Sequence, residues 1–344
     1  MTEIAANAGI NYPYTAIDLT AQIARIPNTY GDLQQEGLFQ STFLSTTYVE
    51  IAFQDGQVTV LEADAPGRPG PVLGVESENG VILRIPHIPH KAVIKPKDLQ
   101  DKFEFGSGRR VLKGVETATA NALNGLRRNH GQTFELLRWG ALKGVLASGK
   151  GATLYNFFQV FGVTKKVIDL KLDNPATDVL AKCQEIRQYV EVTLKGETMN
   201  GLRCKIDQSL FNKLVVHPNV EKFFIGHQAA MALVANIEKN EFPFGGIIWQ
   251  VNNQVVSNID GAPVKFIDAG KGIVYPTGTT NMFRTYYGAA HHIQMVNTVA
   301  PEIFVSAEVL PHGQGVELQS QSNPLPICQR PDLLVEVMSS PPTP

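Results

Sequence analysis

Cysteine is scarce in this sequence. The 344 residues include three, Cys183, Cys204 and Cys328. An odd number with no C-x-x-C spacing argues against both a disulfide framework and a zinc site, and fits a reducing compartment. Long apolar runs are also missing: none approaches the ~18 residues of a membrane span. The opening stretch MTEIAANAGINYPYTAIDL has neither a basic segment nor an apolar one, so no signal peptide is expected. Net charge is nearly absent, at −2, so no overall basic character points to nucleic-acid recognition. There is no H-E-x-x-H, no G-x-S-x-G, and no H-x-E followed by C-x-x-C. GSGRRVLKG and SGKGAT fall short of a full phosphate loop, and a helix end followed by a turn explains GKGATLYN (149–156) better.

What is present is a large apolar fraction, 43% against 18% charged. That is ample for a core, and the length suggests two or more domains. The charge is unevenly placed. Residues 1–60 carry one basic residue, Arg25, against six acidic ones, a balance of −5. Residues 91–150 carry twelve basic against five acidic, a balance of +7. Such fields either neutralise each other within a subunit or attract a neighbouring copy.

Residues 1–45, rich in Asn, Gln, Thr and Gly, read as an extended arm with little core of its own. In TTYVEIAFQDGQVTVLEA, Val49, Ile51 and Phe53 alternate before Asp55-Gly56, and Val58 and Val60 alternate after it. That is a hairpin signal, because the tight turn wants positive φ. DAPGRPGPVLGVESENG (64–80) is too rich in Pro and Gly for a helix. VILRIPHIPH then returns as a strand. A lone hairpin of this kind is marginal in water and needs a surface to lie on.

Pro86 and Pro89 each precede a histidine, His87 and His90, and push Ile85 and Ile88 to extended geometry. In an extended chain, positions three apart point to opposite sides. The two histidines are therefore expected to diverge, as edge-strand or contact residues rather than a chelating pair. His291-His292 is a poor chelator for a similar reason. Trp139 and Trp249 read as packing anchors.

From Val111 to Ser148 there is no proline, and apolar residues recur at spacings of three and four. This predicts a long helix with a basic complement that includes Arg109, Arg110, Arg127, Arg128 and Arg138. Its glycines each lower helix stability by about 1 kcal/mol relative to Ala, so packing must compensate or the helix bends or breaks near Gly131. Asn174-Pro175 with Asp178 predicts the start of a second helix, buried through Leu180, Cys183, Ile186 and Val190. Further helices are expected from Asp207 and after His217-Pro218, and then a series of strands. PPTP reads as a frayed tail. The order hairpin, long helix, helices, strands indicates an α+β fold.

Several stretches are familiar. They are IPNTYGDLQQEGLF (26–39), PGRPG (66–70), ILRIPHIPHKAVIKPKDLQDKFEFGSG (82–108), FELLRWGALKGVLASGKG (134–151) and LYNFFQVFGV (154–163). FGGIIWQV (244–251), GIVYPTGTTNMFRTYYGAAHHIQMVNT (272–298) and QSNPLPICQRPDLLVEV (321–337) follow. In this order the chain resembles the major capsid proteins of lambda-like tailed bacteriophages, the phage capsid E family. Residues 165–240 match least.

The resemblance implies the Hong Kong 97-type capsid fold, with an N-terminal arm at 1–45 and an E-loop hairpin with its base at 46–105. It implies a P-domain spine helix at 106–154, an A-domain across most of 155–300, and P-domain strands with the tail at 301–344. It also implies a structural, non-catalytic subunit that builds hexamers and pentamers of an icosahedral head around double-stranded DNA. Scaffold, portal and decoration proteins would be partners. No cofactor, metal or membrane is implied. Arg68 at the loop tip, His87 and His90 at its base, and Arg127, Arg128 and Arg138 on the helix are the candidate inter-subunit contacts. Two other readings stay open: an encapsulin-like nanocompartment shell, and a histidine-dependent hydrolase using His87, His90 or His291.

Overall fold

The computed structural model describes residues 12–53, 79–100, 114–195, 197–225, 241–258 and 261–340. The Asp55-Gly56 turn, Arg68, Arg109, Arg110 and the PPTP tail lie outside the described residues. The chain forms two compact units. One comprises Met1–Val49, Ile82–Arg138 and Arg284–Pro326, the other Glu50–Val81, Trp139–Phe283 and Ile327–Pro344. The sequence reading placed boundaries after 45, 105, 154 and 300. Residues 327–340 join the second unit because Val335–Met338 pairs with two of its strands.

In the first unit the segment read as an extended arm is a correction. Ala16–Arg25 is a helix, closed by a capping box in which the Asp18 N–H donates to Thr15 Oγ1 at 3.2 Å and the Thr15 N–H donates to Asp18 Oδ2 at 3.0 Å. The Thr15 hydroxyl, which donates to Asp18 Oδ2 at 2.7 Å, and the Thr15 N–H together hold the Asp18 carboxyl below the usual range. Composition hid the helix because only Leu19 and Ile23, four apart, carry its apolar face, yet both are fully buried. They join a core with Ile94, Leu123, Leu126, Phe134, Val305 and Leu318. Gln40–Phe43 then pairs in parallel with residues 284–287, and Phe43 stacks on Tyr287 with ring centroids 5.1 Å apart.

The Pro-rich histidine segment is extended, as its prolines require. Ile88–Ile94 is the edge strand of a three-stranded antiparallel sheet ordered Phe304–Val309, Val316–Ser322, Ile88–Ile94. Pro89 is tolerated because an edge strand has a side that needs no ladder donor. Before it, Tyr48–Phe53 and Asn79–Arg84 form a two-stranded sheet, so the excursion between them is two-stranded at its base.

The long helix runs Val115–Lys143 without a break at Gly131. It ends earlier than the periodicity predicts, because Gly144 adopts φ +77 and the Phe158 ring occupies the space where its Cβ would be, 2.3 Å away. Residues Val145–Ala147 are a short strand instead.

The second unit is built on a six-stranded mixed sheet, ordered Lys166–Asp169, Val335–Met338, Lys271–Thr277, Gly201–Ile206, Ile247–Val251, Glu241–Phe244. The helix predicted from Asn174 starts later, at Val179, with Asp178 as its N-cap, accepting from the Ala181 N–H at 3.1 Å. Asn174 instead closes a turn onto the Ala176 N–H. Val179, Cys183, Ile186 and Val190 are its buried residues; Leu180 is half-buried. Burial pushes the Cys183 thiol up to about 12, consistent with a small core residue. The helix predicted from Asp207 is Gln208–Val216, capped by that aspartate, and the next is Pro218–Ile225. FGGIIWQV is a hairpin, not one strand. Gly245 and Gly246 both have positive φ, and a Cβ at Gly245 would meet Cys183 Cβ at 2.4 Å. Trp249 is fully buried with its Nε1–H donating to the Phe244 carbonyl, and Trp139 stacks on Phe266.

Candidate assembly surface of the long helix

The long helix is the dock for the N-terminal segment, and four of its residues make the dock at spacings of three to four. Arg127 donates through Nε to the Ile26 carbonyl at 3.2 Å. One turn on, Gly131 has no side chain, and Asn28 lies where one would be: a Cβ would stand 2.6 Å from Asn28 Oδ1. Asn28 is fixed there because that same oxygen accepts from the Tyr30 N–H at 3.1 Å. Another turn on, Glu135 is 2% exposed and accepts from the Leu33 N–H at 2.9 Å, closing the short helix Asp32–Gln35 that has no N-cap side chain of its own. Gly31, at φ +107, makes room, since a Cβ there would lie 2.3 Å from Glu135 Oε2. Finally Arg138, also buried, donates to Gln34 Oε1.

This resolves the puzzle of the mid-helix glycine. Gly131 persists because the arm packs against its bare backbone. Helix propensity favours alanine at such a site by about 1 kcal/mol, whereas forcing a methyl into a fixed contact costs about 1–3 kcal/mol. Gly131→Ala is therefore expected to destabilise the subunit by roughly 1 kcal/mol. Gly125 on the same helix has nothing among the described residues within 4 Å of its would-be Cβ. Gly125→Ala is accordingly expected to stabilise by up to about 1 kcal/mol. Urea unfolding of both variants reads the opposite signs; equal and stabilising shifts would show that Asn28 does not hold its place.

The sequence-derived candidates fall in different surroundings. Arg127 is 8% exposed and also pairs with Glu302 at 3.0 Å; its carboxylate partner is thus not an arm residue. Arg128, its neighbour, is exposed and has no ion pair among the described residues. His87 and His90 diverge. His87 donates from Nδ1 to Asn323 Oδ1 at 2.8 Å, since the Asn323 amide nitrogen is committed to the Gly288 and Ala289 carbonyls. Its ring lies 6.0 Å from that of His291, beside a cavity of about 290 Å³. His90 instead accepts through Nε2 from the Asn129 amide at 2.9 Å. Among the described residues no three His, Cys, Asp or Glu side chains gather as a metal set.

His90 leads to a group that the sequence did not flag. His130, 2% exposed, bonds through Nε2 to Ser320 Oγ at 2.9 Å. Ser320 spends its only proton on the His90 carbonyl, so Nε2 of His130 must carry the hydrogen. Burial, then His90 and Arg127, push the His130 pKa down to about 4. Glu135, Gly131 and His130 were invisible as functional positions because each acts through a partner remote in sequence. The one local hint was the spacing of 127, 131, 135 and 138 on one helix face.

Comparison with known proteins agrees over most of the chain. Residues 15–339 match the family model described as phage major capsid protein E. The chain is 26% identical to a major capsid protein of Salmonella phage Felix O1, over 93% of this chain and 95% of that one. It is equally identical to a major capsid protein of Pseudomonas phage KPP10, over 95% and 96%. Among solved structures, the putative capsid protein of a prophage of E. coli CFT073 superposes with a TM-score of 0.61 at 13% identity, over 95% of this chain and 99% of that one.

Proposed function

The chain belongs to the phage major capsid protein E family, and from that premise we propose the role in which its parts serve: the structural subunit of an icosahedral tailed-phage head. The observation that carries this reading is the family match across residues 15–339, with relatives aligned nearly end to end. The fold is the Hong Kong 97-type capsid fold. The subunit self-associates into hexamers and pentamers, encloses double-stranded DNA, and works through contact area, as obligate assemblies do. The narrower likeness to lambda-like phages rests on the quoted motifs alone.

In this proposal the unit holding the long helix and the Ile88–Ile94 sheet corresponds to the P-domain with its docked arm, and the six-stranded unit to the A-domain. The excursion between Tyr48–Phe53 and Asn79–Arg84 is the E-loop, with Arg68 at its tip and His87 and His90 at its base as contacts to a neighbouring copy. Arg127 and Arg138, buried in their own chain, serve contact indirectly by holding the arm. Arg128 points to a partner outside the chain. Scaffold, portal and decoration proteins are the further partners, assembly takes place in the host cytoplasm, and no catalytic step is involved.

Sedimentation of the purified chain tests the role. A population sedimenting far faster than a single chain is expected. A chain that stays monomeric at high concentration, alone and with a co-expressed scaffold, would contradict the reading.

A further inference from the structure

Between the 26–30 loop and the long helix lies a cleft of about 320 Å³. Asn28, Tyr30, Asn121, Asn124, Arg127 and Arg128 line it, and among the described residues no carboxylate does. Glu302 pairs with Arg127 at 3.0 Å, which among the described residues leaves Arg128 as the uncompensated charge. Asn28 Nδ2 is buried and has no hydrogen-bond partner among the described residues. Asn121, Asn124 and Arg128 stand at i, i+3 and i+7, one face of the helix over about 10 Å.

We propose that this cleft is an oxyanion site that takes a backbone phosphate of the packaged nucleic acid. The inference rests on the reading of the chain as a DNA-enclosing shell subunit. A phosphodiester carries one negative charge and two acceptor oxygens. Among the described residues the site offers the Arg128 guanidinium, with no ion pair, and a row of neutral amide and hydroxyl donors, a match that positions a backbone without reading bases. A duplex also delivers phosphates at fixed intervals, which suits donors repeated along a rigid helix. A carboxylate on an acidic peptide shares the charge but not that spacing.

The test uses the full chain as unassembled subunits and a short fluorescein-labelled DNA duplex. Arg128→Gln is expected to weaken duplex binding about fivefold and to lower the salt-dependence slope by about 0.9, the loss of one phosphate contact. Asn124→Asp, which places a carboxylate in the cleft, is expected to weaken binding at least as much. Lys97→Gln removes an equal charge from an exposed site outside the cleft and is expected to change neither quantity. If Arg128→Gln and Asn124→Asp titrate like Lys97→Gln, the proposal is overturned. Phosphorus NMR with inorganic phosphate separates the sources: line broadening that depends on Arg128, with duplex binding unaffected, would reassign the cleft to free phosphate. Arg128-dependent binding of polyglutamate, again with unaffected duplex binding, would reassign it to an acidic peptide. Micrographs of the same variants keep the two readings apart, because intact shells with weakened DNA binding support both. A wild-type chain that binds the duplex through Arg128 yet builds no shell would remove the shell role alone.

Discussion

Replacing Leu19 and Ile23 together by alanine is expected to lower the stability of the subunit by about 5 kcal/mol. Each side chain is fully buried in the core of the first unit. Leu or Ile to Ala at such sites costs about 2–5 kcal/mol. The two lie one turn apart in one core cluster, so the effects couple and the sum falls short of additivity. The arm helix has other moorings: Tyr12 OH bonds Thr119 Oγ1 at 3.0 Å, and Thr20 Oγ1 accepts from the Val305 N–H at 3.0 Å. These keep the segment nearby but do not refill the core. Urea unfolding followed by near-ultraviolet circular dichroism measures the loss. An arm with little core of its own, as composition suggests, would show almost none.

The second large effect is a loss of stability in mild acid that traces to His130. The folded pKa is about 4 against an ordinary 6.5. Above pH 6.5 neither state carries the proton. As pH falls below 6.5 the unfolded chain takes up a proton that the folded one refuses, so stability declines until the folded group also titrates near 4. The gap corresponds to about 3 kcal/mol, of which about 2 kcal/mol falls between pH 7 and pH 5. That window lies above the titration of the carboxylates held low in the fold, such as Glu336 beside Lys165 and Lys271. His130→Gln keeps a donor for Ser320 Oγ and removes the titration. The variant is expected to lose almost none of that 2 kcal/mol share between pH 7 and pH 5, read as unfolding midpoints at the two values. An unchanged slope would place the acid sensitivity elsewhere.

How much of this was legible in the sequence follows from the range of each interaction. The extended histidine segment was legible because Pro86 and Pro89 act on their immediate neighbours. The helix at Gln208–Val216 was legible because Asp207 caps it locally. The long helix was legible through its period, but its end was not, because Gly144 turns the chain where the Phe158 ring fills the space a Cβ would take. The cap expected at Asn174 was not the one used: Asn174 closes a turn onto the Ala176 N–H, and Asp178 caps the helix that begins at Val179. The arm helix was missed because two buried residues leave too short an apolar pattern to register against a polar composition. The dock on the long helix was missed for a different reason. Arg127 and Arg138 were noticed as charges, but their partners are a carbonyl, a carboxylate at position 302 and an amide at position 34. No local pattern announces such pairs. The family resemblance supplied the fold, and the fold places these residues together without identifying them.

The central claim is that copies of this subunit associate into a closed shell. Electron cryomicroscopy of the purified chain under assembly conditions tests it most directly. Closed shells whose surface resolves into five-fold and six-fold rings of this subunit are expected. Well-dispersed single subunits, or open filaments with no closed shell, would contradict it.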